Sequence, residues 1–213
     1  MSFTDGFDPN KTHADYALSN ANRTVTADGT VINRAAISDW SKTSGKSYWE
    51  ISVDEFINSY SSIGFCDQSG DTDYDKTVRT GWNESWGLFR YNANTIRVYH
   101  DGAYYNMSGT GIAWVDADII GVAIDIGAGK AWFSKNNSWF NSGDPANGND
   151  PLFDDATIIG NTISAAIHLR YSTTIMTACF AESQLTYSPP SGFSALDVEG
   201  ETDVINQSMF FLF

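Results

Sequence analysis

Only two cysteines, five prolines and twelve basic residues occur in the 213 residues of this chain. Each scarcity excludes something. Two cysteines cannot build the disulfide framework that staples small secreted domains, and a chain this long buries enough surface to fold without one. Cys66 and Cys179 each lie beside a phenylalanine in an apolar stretch, Gly64-Phe65-Cys66 and Cys179-Phe180, which predicts two unpaired, buried thiols. Twelve Lys and Arg stand against 26 Asp and Glu, a formal charge of −14. That surface argues against nucleic acid and anionic membranes as partners and leaves basic proteins and neutral sugars open. It also keeps an aromatic-rich chain soluble. No apolar run approaches the length of a membrane helix, so no membrane insertion is expected. The opening Met1-Ser2-Phe3-Thr4-Asp5-Gly6 has neither a basic stretch nor an apolar core. No secretory leader is expected there, and synthesis in the cytoplasm follows.

Catalytic motifs are missing as well. Gly45-Lys46-Ser47 has the ending of a phosphate-binding loop, but Trp40 stands where that loop needs its first glycine, and a strand follows. There is no Gly-x-Ser-x-Gly elbow and no His-Glu-x-x-His, and His13, His100 and His168 are scattered. Alternation along Glu50-Ile51-Ser52-Val53-Asp54-Glu55 places Glu50, Ser52 and Asp54 on one strand face. Some concanavalin-like glycosidases carry their acid and nucleophile on such a strand, but Ser52 replaces the middle Asp and Asp54 the second Glu. Nothing nearby would push two carboxyl pKa values apart, so glycoside hydrolysis is the weaker alternative and no enzyme is expected. The acidic loop of residues 67–75 has alternating carboxylates that suit calcium. Lys76 and Trp82 stand where an EF-hand needs Gly and Glu, and a solvated acidic turn is expected. Neither cofactor nor metal is expected.

What is present is aromatic and strand-forming: seven Trp, ten Tyr, thirteen Phe and 18 Gly. The chain is organised around residues 118–139. Ile119-Ile120-Gly121-Val122-Ala123-Ile124-Asp125 is apolar and β-branched, as a strand buried on both faces must be. Gly127-Ala128-Gly129 turns the chain, and Lys130-Ala131-Trp132-Phe133-Ser134-Lys135 returns beside it. Further strands are expected at 17–19, 23–26, 31–32, 48–53, 61–66, 86–91, 95–100, 163–169 and 174–180. Asp101-Gly102 marks a hairpin, and residues 38–44 and 141–151 read as loops. Closely spaced strands with no helix between them predict an antiparallel sandwich over residues 1–197. An acidic linker and apolar tail, 198–213, complete the chain.

Five pieces then carry a resemblance. Gly45-Lys46-Ser47-Tyr48-Trp49-Glu50, Ile63-Gly64-Phe65, Trp86-Gly87-Leu88, the run from Ala117 through Asp125, and Trp132-Phe133-Ser134-Lys135-Asn136 resemble, in order and spacing, a SPRY (B30.2-type) domain. The match extends from about Phe7 to Leu196, nearly the whole chain. Phe7-Asp8-Pro9, Leu18-Ser19-Asn20 and Ser142-Gly143-Asp144-Pro145 look like the copies in bacterial and bacteriophage proteins. The resemblance implies an all-β, bent antiparallel two-sheet sandwich, concanavalin-like and without catalysis. Its ligands, usually protein segments, sit on loops at one sheet edge. Independently of the name, Trp49 and Trp132 in apolar strands read as core. Gly64, Gly87 and Gly121 read as places where a strand bends or admits a close neighbour.

Loops on a rigid sheet carry function, and aromatic and Arg side chains supply most interface energy. The candidate ligand contacts are therefore Arg79, Trp82, Trp86, Tyr91, Tyr104, Trp139 and Asp144. At the end of the chain Met209, Phe210, Phe211, Leu212 and Phe213 are five consecutive apolar residues. Left in water they are an aggregation hazard, which predicts a tail that docks into a neighbouring subunit. The expected function is a binding or structural module of a bacteriophage virion, as capsid decoration or tail and fibre protein. It would recognise a host surface protein or glycan through sandwich-edge loops, join other virion or assembly proteins through its tail, and form a homo-oligomer. A lectin-like carbohydrate binder is the alternative.

Overall fold

The run Ile119–Asp125 forms strand β10 at the middle of a sheet. It pairs antiparallel with β11 (Lys130–Lys135) on one side and β5 (Lys46–Glu55) on the other, with unbroken register across both. These strands belong to a computed structural model that describes residues 5–28, 34–56, 60–67 and 84–197. Beyond β5 come β15 (Ile175–Cys179), β3 (Thr24–Ala27) and β2 (Tyr16–Ser19); beyond β11 comes β12 (Ser138–Trp139). Two short strands complete this sheet: β13 (Phe153–Asp154) against β11, and β16 (Ser194–Ala195), which runs parallel to the start of β5. The facing sheet has the order β1 (Phe7–Thr12), β4 (Ala36–Ser38), β14 (Ile163–His168), β6 (Ser62–Asp67), β7 (Ser85–Asn92), β8 (Thr95–His100) and β9 (Ala103–Ser108), all antiparallel.

The inner faces meet on aromatic rings. Phe65 of β6 stacks on Trp86 of β7 at 5.3 Å and on Phe133 of β11 at 6.3 Å, and receives Trp49 of β5 edge-on at 6.4 Å. All four are buried, so this quartet binds the two sheets together. Trp49 and Trp132 are core, as their apolar neighbours required. The indole N–H of Trp132 donates to the Asn149 carbonyl at 2.7 Å, whereas that of Trp49 finds no partner among the described residues. Gly64 and Gly87 face each other across β6 and β7, and a Cβ on Gly64 would collide with the Trp86 carbonyl. The close approach of backbones, not turn geometry, is why glycine stands there.

The chain's return past β15 covers part of the outer face of the β10 sheet. Phe193 and Leu185 pack on Tyr48, Ala123 and Trp132 there. This second layer explains why β10 is apolar on both faces: one meets the core and the other the returning segment.

Three strands depart from the sequence expectation. β1 contains Asp8-Pro9-Asn10 and still pairs, because it is an edge strand with an irregular register against β4, where proline costs no ladder bond. β4 lies where no strand is expected and ends at Ser38, the first residue of the stretch read as a polar loop. β9, Ala-Tyr-Tyr-Asn-Met-Ser, has no apolar alternation because almost all of it faces solvent. The Asp101-Gly102 hairpin joins β8 to β9 with positive φ at both residues, 49° and 76°, as an I′-like turn requires. Cys66 is buried as expected, but Cys179 is only partly buried, since it lies on the outward side of β15 beside Glu50 rather than in the core. Burial there pushes its thiol pKa up to about 11. The expected strand at 31–32 and the body of the acidic loop, 68–75, lie outside the described residues.

Candidate binding face on the outer side of strands β7 to β9

Alternation on β8 turns Ile96 and Val98 into the core, which leaves Arg97 on the outer face. Its cross-strand neighbours are Phe89 on β7 and Asn106 on β9. The guanidinium carbon stands 3.7 Å from the ring centre of Tyr91 and 4.3 Å from that of Tyr104. Tyr99 packs on Tyr104 at 4.9 Å and accepts a long 3.5 Å bond from the Arg97 Nη1. Burial works against the charge of Arg97, but the Tyr99 hydroxyl and the surrounding tyrosines raise its pKa above the ordinary arginine value. Its Nε is buried with no hydrogen-bond partner, and no ion pair reaches it among the described residues.

The aromatic row continues across the sheet. Tyr91 meets Tyr60 at 5.8 Å, and Tyr60 meets Tyr171 at 6.4 Å. A second guanidinium, Arg170, lies 4.8 Å over the Tyr60 ring, and its Nε too is buried and without a partner. Tyr60 has φ +83°, unusual for a bulky residue, and that backbone sets its ring into the row. Two guanidinia among tyrosines with no ion pair among the described residues, in a chain of charge −14, are an anomaly. A guanidinium stacked on aromatic faces keeps its N–H edge for a planar acceptor such as a carboxylate.

Of the residues singled out from sequence, Tyr91 and Tyr104 meet here, on strands rather than on loops. Trp86 does not belong with them. It is 0% exposed, stacked between Phe65 and His100, and its Nε1–H donates to Asp155 Oδ2 at 2.9 Å. Inward alternation on β7 makes it core, a correction to its reading as a ligand contact. Arg79, Trp82 and the tail Met209 to Phe213 lie outside the described residues. Trp139 and Asp144 come together elsewhere, in a cavity of about 230 Å³ that Asn137, Pro145, Ser188 and Pro190 also line. The Asp144 carboxylate there accepts from the Asn147 amide at 2.7 Å. Sequence reasoning passed over Arg97, although the pattern Ile96-Arg97-Val98-Tyr99 carries its outward direction. Tyr60, Arg170 and Tyr171 follow or precede strands and gave no periodic signal.

Glu50, Ser52 and Asp54 do share one face. Glu50, however, is 0% exposed, and its carboxylate accepts from the Tyr48 hydroxyl at 2.8 Å and from the backbone N–H groups of Thr186 and Tyr187 at 2.7 and 2.9 Å. It anchors the returning segment, while Asp54 is tied to Ser52 and Thr177 near the surface. Asp67 accepts from the Thr162 N–H at the end of β6. Among the described residues no group of three or more His, Cys, Asp or Glu is placed to hold a metal ion, and no helix is long and apolar enough to cross a membrane.

No protein-family model matches the chain, and none of the curated proteins does. Solved structures do. The chain is similar to the PSpry domain of TRIM65, with TM-score 0.60 and 17% identity over 84% of this chain and 90% of that one. It is similar to the SPRY domain of human HERC1, with TM-score 0.59 and 18% identity over 82% of this chain and 97% of that one. At such identities the likeness is one of architecture, and the bent two-sheet sandwich described above is the SPRY fold.

Proposed function

We propose that this chain is a non-catalytic binding module that takes a protein segment on the Arg97 face. The carrying observation is the row Tyr104, Arg97, Tyr91, Tyr60, Arg170, with neither guanidinium in an ion pair among the described residues. Tyrosine and arginine are the residues that dominate protein interfaces, and leaving them without intramolecular ion pairs reserves their charge for a partner. The SPRY resemblance agrees with a binding role. Selection of a displayed random-decapeptide library on the immobilised protein tests this. Enriched peptides should bind about tenfold more weakly to the Arg97→Gln, Arg170→Gln double variant and unchanged to Trp139→Ala. Peptides indifferent to both arginines overturn it.

A second reading rests on the Trp139 cavity, where an indole, a carboxylate and an amide line one concavity, the combination that binds a sugar ring. Glycan-array binding that disappears with Trp139→Ala would replace the first reading. For setting, the apolar Met209 to Phe213 tail supports an assembly component such as a bacteriophage virion protein, docked through that tail. Deleting residues 204–213 should change the oligomeric state in light scattering and abolish co-purification with assembly proteins. An unchanged state and unchanged partners overturn the assembly role.

A further inference from the structure

Among the described residues the edge beside this face is open. β9 pairs with β8 and ends its sheet. Gly109 N–H donates to the Asn94 carbonyl at 3.1 Å, and the register runs Thr95↔Ser108 to His100↔Ala103. Bonded pairs recur every second residue in an antiparallel ladder, so Ala103, Tyr105 and Met107 bond to β8. Tyr104, Asn106 and Ser108 then turn their N–H and C=O groups outward. Natural edges are guarded by charge, proline or bulges. The strand Ala-Tyr-Tyr-Asn-Met-Ser has no charge and no proline, and its register on β8 is unbroken. Its two faces differ. Tyr104 and Asn106 share the outer face with Arg97, whereas Tyr105 and Met107 alternate to the other, where Tyr105 is 51% exposed.

We infer that β9 accepts an extended partner segment as an added strand, and that this segment alternates acidic with apolar residues. The inference rests on the binding face proposed above and supplies its mode and chemistry. Carboxylates on one side of the added strand reach the Arg97 guanidinium held between Tyr91 and Tyr104. Apolar side chains on the other side cover Tyr105. Backbone bonds to Tyr104, Asn106 and Ser108 supply affinity independent of side chain. A second copy of this chain is the wrong occupant by charge: its β9 has no carboxylate to offer, and each copy carries −14.

The probe is a fluorescein-labelled octapeptide, four Glu-Val repeats, compared with Gln-Val and Lys-Val versions by anisotropy. The acidic peptide should bind about tenfold tighter than the Gln-Val one, and Arg97→Gln should erase the difference. N-methylation at alternate residues of the probe should weaken it about tenfold, as should Asn106→Pro, a substitution an edge strand tolerates when the lost N–H faces solvent. Loss with Arg97→Gln but indifference to N-methylation and to Asn106→Pro overturns strand addition and leaves the binding face standing. Indifference to Arg97→Gln as well, or equal binding of all three peptides, overturns both. Sedimentation showing a dimer of the unliganded chain that Asn106→Pro dissolves assigns the edge to a second copy and overturns the inference too.

Discussion

Glu50 shows how one residue can hold a segment in place. A carboxylate wholly removed from water is tolerable only when donors converge on it, and here the Tyr48 hydroxyl and two backbone N–H groups do. Burial and the Glu50 charge both raise the pKa of Tyr48, which keeps that hydroxyl protonated and donating. Glu50→Ala leaves the buried Tyr48 hydroxyl and two partly buried backbone N–H groups without their acceptor, and urea denaturation should show a loss on the order of 3 kcal/mol. Glu50→Gln, which keeps the shape, should lose about half of that. Gly64 is constrained differently. Its substitution by Ala drives a methyl into the Trp86 carbonyl, and a loss of about 2–3 kcal/mol is expected. Gly109→Ala, where nothing lies within 4 Å of the added methyl, is the control. It should stay within about 0.5 kcal/mol of the parent.

At the scale of elements, one carboxylate clasps the two sheets at an end of the sandwich. Asp155, before the short 3-10 turn Ala156–Ile158, takes the Trp86 indole N–H at 2.9 Å, lies 2.9 Å from His100 Nε2, and accepts from the Thr157 N–H and hydroxyl. Partial burial alone would raise its pKa, but these hydrogen bonds and the neighbouring His100 bring it below the ordinary 3.8. A carboxyl lowered in the folded state stabilises fully above its unfolded value and stops doing so as pH falls through the folded one. Asp155→Asn should therefore melt below the parent at pH 6, with the gap narrowing as pH falls below the ordinary carboxylate value. A gap that stays constant in thermal scans counts against the clasp. β9 is the opposite kind of element: it clasps nothing, and its exposure is what makes the strand-addition experiment decisive.

For the whole molecule, stability concentrates where Phe65 touches Trp49, Trp86 and Phe133 from both sheets. Phe65→Ala opens a cavity between layers that cannot collapse independently, and a loss of about 3–5 kcal/mol is expected in denaturant titration. Phe193 and Leu185 cover the outer face of the β10 sheet at Tyr48, Ala123 and Trp132, and the proposed contacts fall on the facing sheet's outer side and at the rim around Trp139.

The amino-acid order by itself determined the central hairpin, the two-layer antiparallel architecture and the burial of Trp49 and Trp132. Those features follow from local rules, namely alternation, β-branching and glycine placement, that act within a few residues. Only the tertiary structure decided which aromatics are available for contact. Trp86 sits in the same motif as its glycine neighbour, yet strand direction sends it inward, while Tyr91 of the same strand stays partly exposed. Arg97, Tyr60 and Arg170 are up to 110 residues apart in the chain, and no periodicity links them. Their meeting depends on which strands lie side by side, a long-range outcome of core packing. So does the free edge of β9, since a strand is an edge only by virtue of what fails to pair with it.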